Sequence, residues 1–304
     1  MEEWRKWKHI TKLDPDKKIN SKIIENIIET GTDAIMISGT QNITRDNVTS
    51  LLHMLKDYDI PKVLEPASPN GLIYKNIDWL FVPSVFNTYY AHYINGLHKV
   101  WVKMHKDEIN WDIVVPEAYI ILNSKCAAAK VSKAEEMTLE GTVATAVCAE
   151  RYFNFPIVYI EYSGSYGDPV IVKAVKEALT KAHLIYGGGI NTKERAEEMS
   201  QWATIVVGNT IYENGTHSFI DTMRGNLLRE LTDIQQKLGK LKRLRKKVKN
   251  EKPEEVEEEE EEEDPDYVNI TKIGEVEKKV IKPQIRVPKI VLKKETEEKR
   301  KKKS

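Results

Sequence analysis

The sequence predicts an α/β fold, a (β/α)8 barrel, from two recurring features. Eight short apolar runs are spread over the first 210 residues. Most are continuously apolar rather than alternating, as expected of parallel strands covered on both faces. Amphipathic stretches of helical period lie between several of them, and strand–helix alternation of this kind builds a parallel sheet. A doubly wound open sheet is the alternative, disfavoured by eight similar strands without a dinucleotide fingerprint.

In order, the strands are expected at Lys8–Leu13, Ala34–Ser38, Lys62–Glu65, Trp79–Pro83, Ala118–Leu122, Ile157–Tyr162, Leu184–Tyr186 and Thr204–Val207. Helices are expected at Ser21–Glu29, Arg45–Lys56, Glu140–Tyr152, Pro169–Lys181 and Lys193–Gln201. The third unit departs from the pattern. Only Ser68–Asp78 joins strands three and four, and Pro69, Asn70 and Gly71 within it oppose a full helix. The expectation is a modified barrel over residues 1–225.

Beyond it, residues 226–249 read as a basic helical extension. Leu227, Leu231, Ile234, Leu238, Leu241 and Val248 recur at spacings of four and three, interrupted by Arg245, as in a short coiled-coil seam. An overhanging last barrel helix explains the stripe equally well. Residues 250–304 hold eight consecutive acids, Glu257–Asp264, then a Lys-rich end. Such a segment buries too little apolar surface to offset its ordering entropy, so a disordered charged tail is expected.

Lys and Arg number 47, as do Asp and Glu. A net charge of zero argues against a dedicated nucleic-acid binder, because counterion release needs a basic face. Cys126 and Cys148 make neither a disulfide framework nor a tetrahedral metal set. Without a signal peptide or an apolar run of spanning length, a cytoplasmic protein is expected, meeting a membrane only at its surface. The basic segment Lys237–Lys249 could meet anionic lipid, fold back on the acidic run, or do neither.

Barrel chemistry collects at the carboxyl ends of the strands. Strand one ends in Lys12-Leu13-Asp14, and alternation turns Lys12 and Asp14 to the mouth. A cation beside a carboxylate suits a phosphate plus a magnesium ion; a plain surface ion pair is the alternative. Strand two ends in Ser38-Gly39-Thr40. Strand six places Tyr159, Glu161 and Ser163 on one face, and a carboxylate inside a buried strand must be paired or used. Strand seven ends in Gly187-Gly188-Gly189 and strand eight in Gly208-Asn209. Glycines there let backbone amides approach an anion. The set asks for a small polyhydroxy phosphate.

These segments resemble, in family order, the geranylgeranylglyceryl phosphate synthase family. The likeness rests on Trp7 to Pro15, Gly31-Thr32-Asp33-Ala34, Ser38-Gly39-Thr40, Tyr159 to Gly164, Tyr186 to Ile190 and Val207-Gly208-Asn209. It runs from about Glu3 to Gly215 and is nearest the archaeal branch, through Trp4-Arg5-Lys6-Trp7; bacterial relatives use a longer prenyl donor. The resemblance implies a barrel whose third helix is replaced. It implies transfer of a geranylgeranyl group from its diphosphate to the 3-hydroxyl of sn-glycerol 1-phosphate, with Mg²⁺. Asp14 and Thr40 would hold the metal. Lys12, Tyr159, Ile160, Glu161, Tyr162, Ser163, Gly164, Gly189, Gly208 and Asn209 would bind glycerol phosphate, with Glu161 accepting the hydroxyl proton. A homo-oligomer is expected, a dimer being favoured. Ala118 stands where relatives often carry Gly, and Ser124 where Pro is expected. Val85, Phe86, Tyr89, Tyr93 and Trp101 are candidate walls for the prenyl chain. A sugar-phosphate isomerase or aldolase, or an enzyme for a longer prenyl donor, is the alternative reading.

Overall fold

A computed structural model describes residues 2–213 and 218–223 and, beyond them, Leu238 alone. Eight parallel strands close into a barrel in chain order. They are β1 (His9–Leu13), β2 (Ala34–Ser38), β3 (Lys62–Glu65), β4 (Trp79–Val85), β5 (Val114–Ile121), β6 (Ile157–Glu161), β7 (His183–Gly187) and β8 (Thr204–Val207). The helices are α1 (Ser21–Glu29), α2 (Arg45–Leu55), α3 (Leu97–His105), α4 (Ala127–Ser132), α5 (Leu139–Arg151), α6 (Pro169–Ala178), α7 (Lys193–Met199) and α8 (Asn209–Glu213). Between β3 and β4 there is only one 3₁₀ turn, Pro69–Gly71, as Pro and Gly there require. The helical extension and charged tail expected after residue 225 lie outside the described residues, Leu238 apart.

Local chemistry explains the helix starts. Asn20 Oδ1 accepts from the Ile23 amide at 2.9 Å at the head of α1, and Thr44 and Asn47 form a reciprocal box at α2. Thr138, Asp168 and Thr192 cap α5, α6 and α7. Each cap satisfies an amide that has no partner within its helix.

Alternation along the strands divides the core in two. Leu13, Ile35, Ile37, Ile120, Ile160 and Tyr186 face the helices. Ile10, Met36, Val63, Phe81, Val115, Tyr119, Ile157, Tyr159, Ile185 and Val206 fill the barrel. Trp4 and Trp7 belong to this inner cluster, with Trp4 edge-on to Phe81 at 6.0 Å.

Several boundaries shift from expectation by one or two residues, and the two largest departures have clear causes. β5 begins at Val114, not Ala118, because Glu117 points into the barrel and so does not interrupt the strand. α6 stops at Ala178, not Lys181, because Glu150 takes the next amides. Its Oε1 accepts from Thr180 (2.7 Å), Lys181 (2.5 Å) and Ala182 (2.7 Å). Burial alone would raise the Glu150 carboxyl, but these backbone donors outweigh it and hold it at about 2. Because the folded value lies below the unfolded one, this stabilisation is complete above about pH 4.5 and is lost as pH falls toward about 2. Glu150→Gln should therefore cost about 2 kcal/mol at pH 7. Melting curves of both proteins from pH 7 down to pH 2 should converge at the acid end; a gap that persists at pH 2 would contradict this account.

Candidate active site

Alternation on β1 turns Leu13 to the helices and Lys12 inward, where it lines two cavities. Around Lys12 stand Glu65, Glu161, Asp14 and Glu117. Burial alone would depress the Lys12 ammonium, but these carboxylates outweigh it and hold the pKa above its usual value. Lys12 therefore stays a cation. Burial, with the neighbouring carboxylates, pushes Glu65 up and Glu117 well up. Glu65 accepts from the Ser38 hydroxyl at 2.9 Å. Among the described residues neither oxygen of Glu117 has a hydrogen-bond partner. A buried carboxyl without a partner is favoured in its neutral form.

Glu161 ends β6 with 1% of its surface exposed. Its Oε2 accepts from the Tyr119 hydroxyl at 2.7 Å and its Oε1 from the Ser163 amide at 2.5 Å. The Tyr119 ring stacks on Tyr159, with centroids 4.6 Å apart and planes 28° apart. Each carboxylate oxygen keeps a second lone pair for an incoming hydroxyl.

The first cavity is polar. Lys12, Asp14, Lys17, Tyr159, Glu161, Ser163, Gly164, Gly188, Gly189, Arg195, Gly208 and Asn209 border it. Gly189 has φ +60°, and a Cβ added to Gly188 or Gly189 would collide with the backbone of Tyr162 or of Ser165–Tyr166. Only glycine lets the β6 and β7 loops pack so closely. A Cβ at Gly208 would press on Lys12. Lys17 donates to Asn209 Oδ1 at 3.2 Å, and Arg195 to the Gly189 carbonyl at 3.0 Å. Three cations thus surround this space.

The second cavity is apolar, walled by Leu72, Val82, Val85, Tyr93, Leu97, Trp101, Tyr119 and Ile121. Trp101 donates from Nε1 to the Tyr74 hydroxyl at 2.7 Å. Lys12, Gly39, Thr40, Glu161 and Ser163 border both cavities, so Glu161 stands at their junction.

Asp14 and Thr40 both border the polar cavity. A Cβ on Gly39 would lie 2.5 Å from Asp14 Oδ1, so the carboxylate rests against the β2 loop where Thr40 follows. Among the described residues no group of three or more His, Cys, Asp or Glu is arranged to hold a metal. One carboxylate and one hydroxyl suit Mg²⁺, which retains waters and takes phosphate oxygens as ligands. The residues present fit that ion.

Several expected residues fall elsewhere. The Ile160 side chain turns into the helix layer, since alternation sends it opposite Tyr159 and Glu161. Tyr162 also packs outward, its ring 6.1 Å from that of Tyr186. Neither borders the polar cavity. Of the proposed prenyl walls, Phe86 packs on Phe153 and Phe155 in the helix layer, and Tyr89 is 84% exposed. Neither borders the apolar cavity. Ala118 is buried among the helices and Ser124 is exposed, so neither departure touches the site. Lys17, Glu65, Glu117, Tyr119 and Arg195 were not anticipated. Inward alternation from Glu65 and Tyr119 was the available signal; starting β5 at Ala118 concealed Glu117.

The PcrB family model matches residues 2–226. The geranylgeranylglyceryl phosphate synthase of Methanocella arvoryzae is 53% identical over 215 residues, 70% of this chain and 93% of that protein. The heptaprenylglyceryl phosphate synthase of Geobacillus kaustophilus is 45% identical over 215 residues, 70% of this chain and 90% of that protein. Among solved structures, the (S)-3-O-geranylgeranylglyceryl phosphate synthase of Thermoplasma acidophilum in complex with the substrate sn-glycerol-1-phosphate superposes with TM-score 0.64 at 26% identity, over 73% of this chain and 94% of that one. With a family match spanning the whole barrel and a relative sharing half its residues, the chain belongs to the PcrB family.

Proposed function

We propose that this chain is a prenyltransferase that moves a geranylgeranyl group from geranylgeranyl diphosphate to the 3-hydroxyl of sn-glycerol 1-phosphate, forming the first ether bond of an archaeal-type membrane lipid. The observation that carries the reading is the junction of two unlike cavities at one buried carboxylate. The polar cavity, with Lys12, Lys17, Arg195 and its close-packed glycines, suits a phosphate monoester bearing hydroxyls. The apolar cavity suits a hydrocarbon chain.

In the reaction, the acceptor oxygen forms a bond to C1 of the prenyl group while the C1–O bond to diphosphate breaks. Diphosphate leaves with the bonding electron pair. The hydroxyl proton passes to Glu161, which borders both cavities and keeps a lone pair on each oxygen. Bringing acceptor and donor together there is largely a matter of positioning. Lys12, held as a cation by its carboxylates, stabilises phosphate charge. Mg²⁺ bound at Asp14 and Thr40 would supply charge neutralisation on the departing diphosphate.

An aldolase-type reading needs a neutral lysine as nucleophile. Lys12 is held in the opposite state.

Incubating the purified protein with both substrates and Mg²⁺, with and without EDTA, tests the assignment. The expected result is an EDTA-sensitive prenyl ether of glycerol phosphate, identified by mass; no product with Mg²⁺ present would overturn it. Asp14→Asn should raise the Mg²⁺ concentration for half-maximal rate by about tenfold, because an amide is a poorer ligand for a hard cation. An unchanged Mg²⁺ titration would remove Asp14 from the metal site.

A further inference from the structure

We propose that Tyr119 is a positioning residue that holds the Glu161 carboxylate in its working orientation while its ring walls the prenyl cavity. The inference rests on the reading of Glu161 as proton acceptor.

Tyr119 is on the inward face of β5, two residues beyond Glu117, and is 7% exposed. Its hydroxyl donates to Glu161 Oε2 at 2.7 Å. The other oxygen, Oε1, is fixed by the Ser163 amide at 2.5 Å. With a donor on each oxygen the carboxylate cannot rotate freely about its terminal bond. The Ser163 donor is backbone, so no side-chain change short of proline removes it. Tyr119 is the side-chain half of the clamp.

The Tyr119 ring is itself held in place. It stacks on Tyr159 at 4.6 Å, and its free side borders the apolar cavity with Val85, Tyr93 and Trp101. A chain filling that cavity therefore packs on the ring whose hydroxyl aims the acceptor. Binding energy from the unreactive part of a substrate can be used in this way to orient the reacting groups. Burial and the neighbouring carboxylates push the phenol well above its usual pKa, so it remains a donor across the neutral range.

Tyr119→Phe keeps the ring and removes the hydroxyl, and a double-mutant cycle with Glu161→Gln separates positioning from simple support. We expect kcat to fall about 30-fold in Tyr119→Phe, with KM for both substrates within about twofold, because misorientation affects the chemical step and not binding. In the Glu161→Gln background the same change should alter the residual rate by less than about twofold, because the group to be aimed is gone. A 30-fold loss in both backgrounds would show that the hydroxyl acts independently of Glu161 and would overturn the proposal. Wild-type kcat in Tyr119→Phe, with Glu161→Gln inactive, would overturn it and leave the Glu161 assignment intact. Wild-type kcat in Glu161→Gln would overturn the Glu161 assignment itself and this inference with it. Near-ultraviolet circular dichroism on each variant confirms that it is folded.

Discussion

Glu161→Gln should lower kcat by about 10³-fold or more in a protein that still folds. Gln keeps the shape, but it has one acceptor oxygen where Glu161 uses two, for Tyr119 and Ser163, and it loses the ability to take a proton. Among the described residues the neighbouring carboxylates are otherwise committed, Asp14 to the proposed Mg²⁺ position. Glu65 is engaged with Ser38, and Glu117 is pushed toward its neutral form inside the barrel. Single-turnover rates at saturating glycerol phosphate, with a melting curve on the same sample, check this. A Gln variant turning over at the wild-type rate would remove Glu161 from the chemistry.

Trp101→Ala should raise the rate on donors longer than geranylgeranyl diphosphate, relative to that donor, by about tenfold or more. The indole is 6% exposed and forms part of the apolar wall, tied at one edge to Tyr74 and flanked by Trp111 at 5.6 Å. It therefore occupies volume that a longer chain needs. Each methylene that gains a buried site contributes about 0.8 kcal/mol, so opening the wall favours extension. Trp101 also packs in the main core, and the same change should cost about 3–5 kcal/mol of stability. Rates on the two donors, measured below the variant's melting range, separate the effects. A loss of stability with no change in donor ratio would make Trp101 core and nothing more.

How far the sequence was legible follows from what each residue answers to. β2 and β3 and helix α1 have the residue ranges expected from periodicity, because each is a short, continuous apolar or amphipathic run with clear polar ends. The missing third helix was legible from Pro69 and Gly71. What failed were inferences that depend on distant partners. The end of α6 is decided by Glu150, some thirty residues away, whose carboxylate captures the amides a longer helix would use. Glu117 escaped notice because a charged residue looks like the end of an apolar run, whereas the barrel places it beside Lys12. Ile160 and Tyr162 came from a contiguous stretch in a strand that turns alternate residues away. The meeting of Tyr119 with Glu161 spans two strands and is set by register, with Tyr119 opposite Tyr159 and Ile121 opposite Glu161.

The two sides of the pocket are built from different materials, which bears on how such an enzyme can diversify. The polar side includes a stretch of backbone packed on backbone, where Gly188 and Gly189 meet the β6 loop and any added carbon forces the loops apart. At those two positions the alphabet is close to one letter. The donor side is made of the side chains of Val85, Tyr93, Leu97 and Trp101, each exchangeable for a larger or smaller one at the cost of local packing. Drift or directed selection can therefore retune the length of the hydrocarbon in single steps, while the polar headgroup it is joined to stays the same.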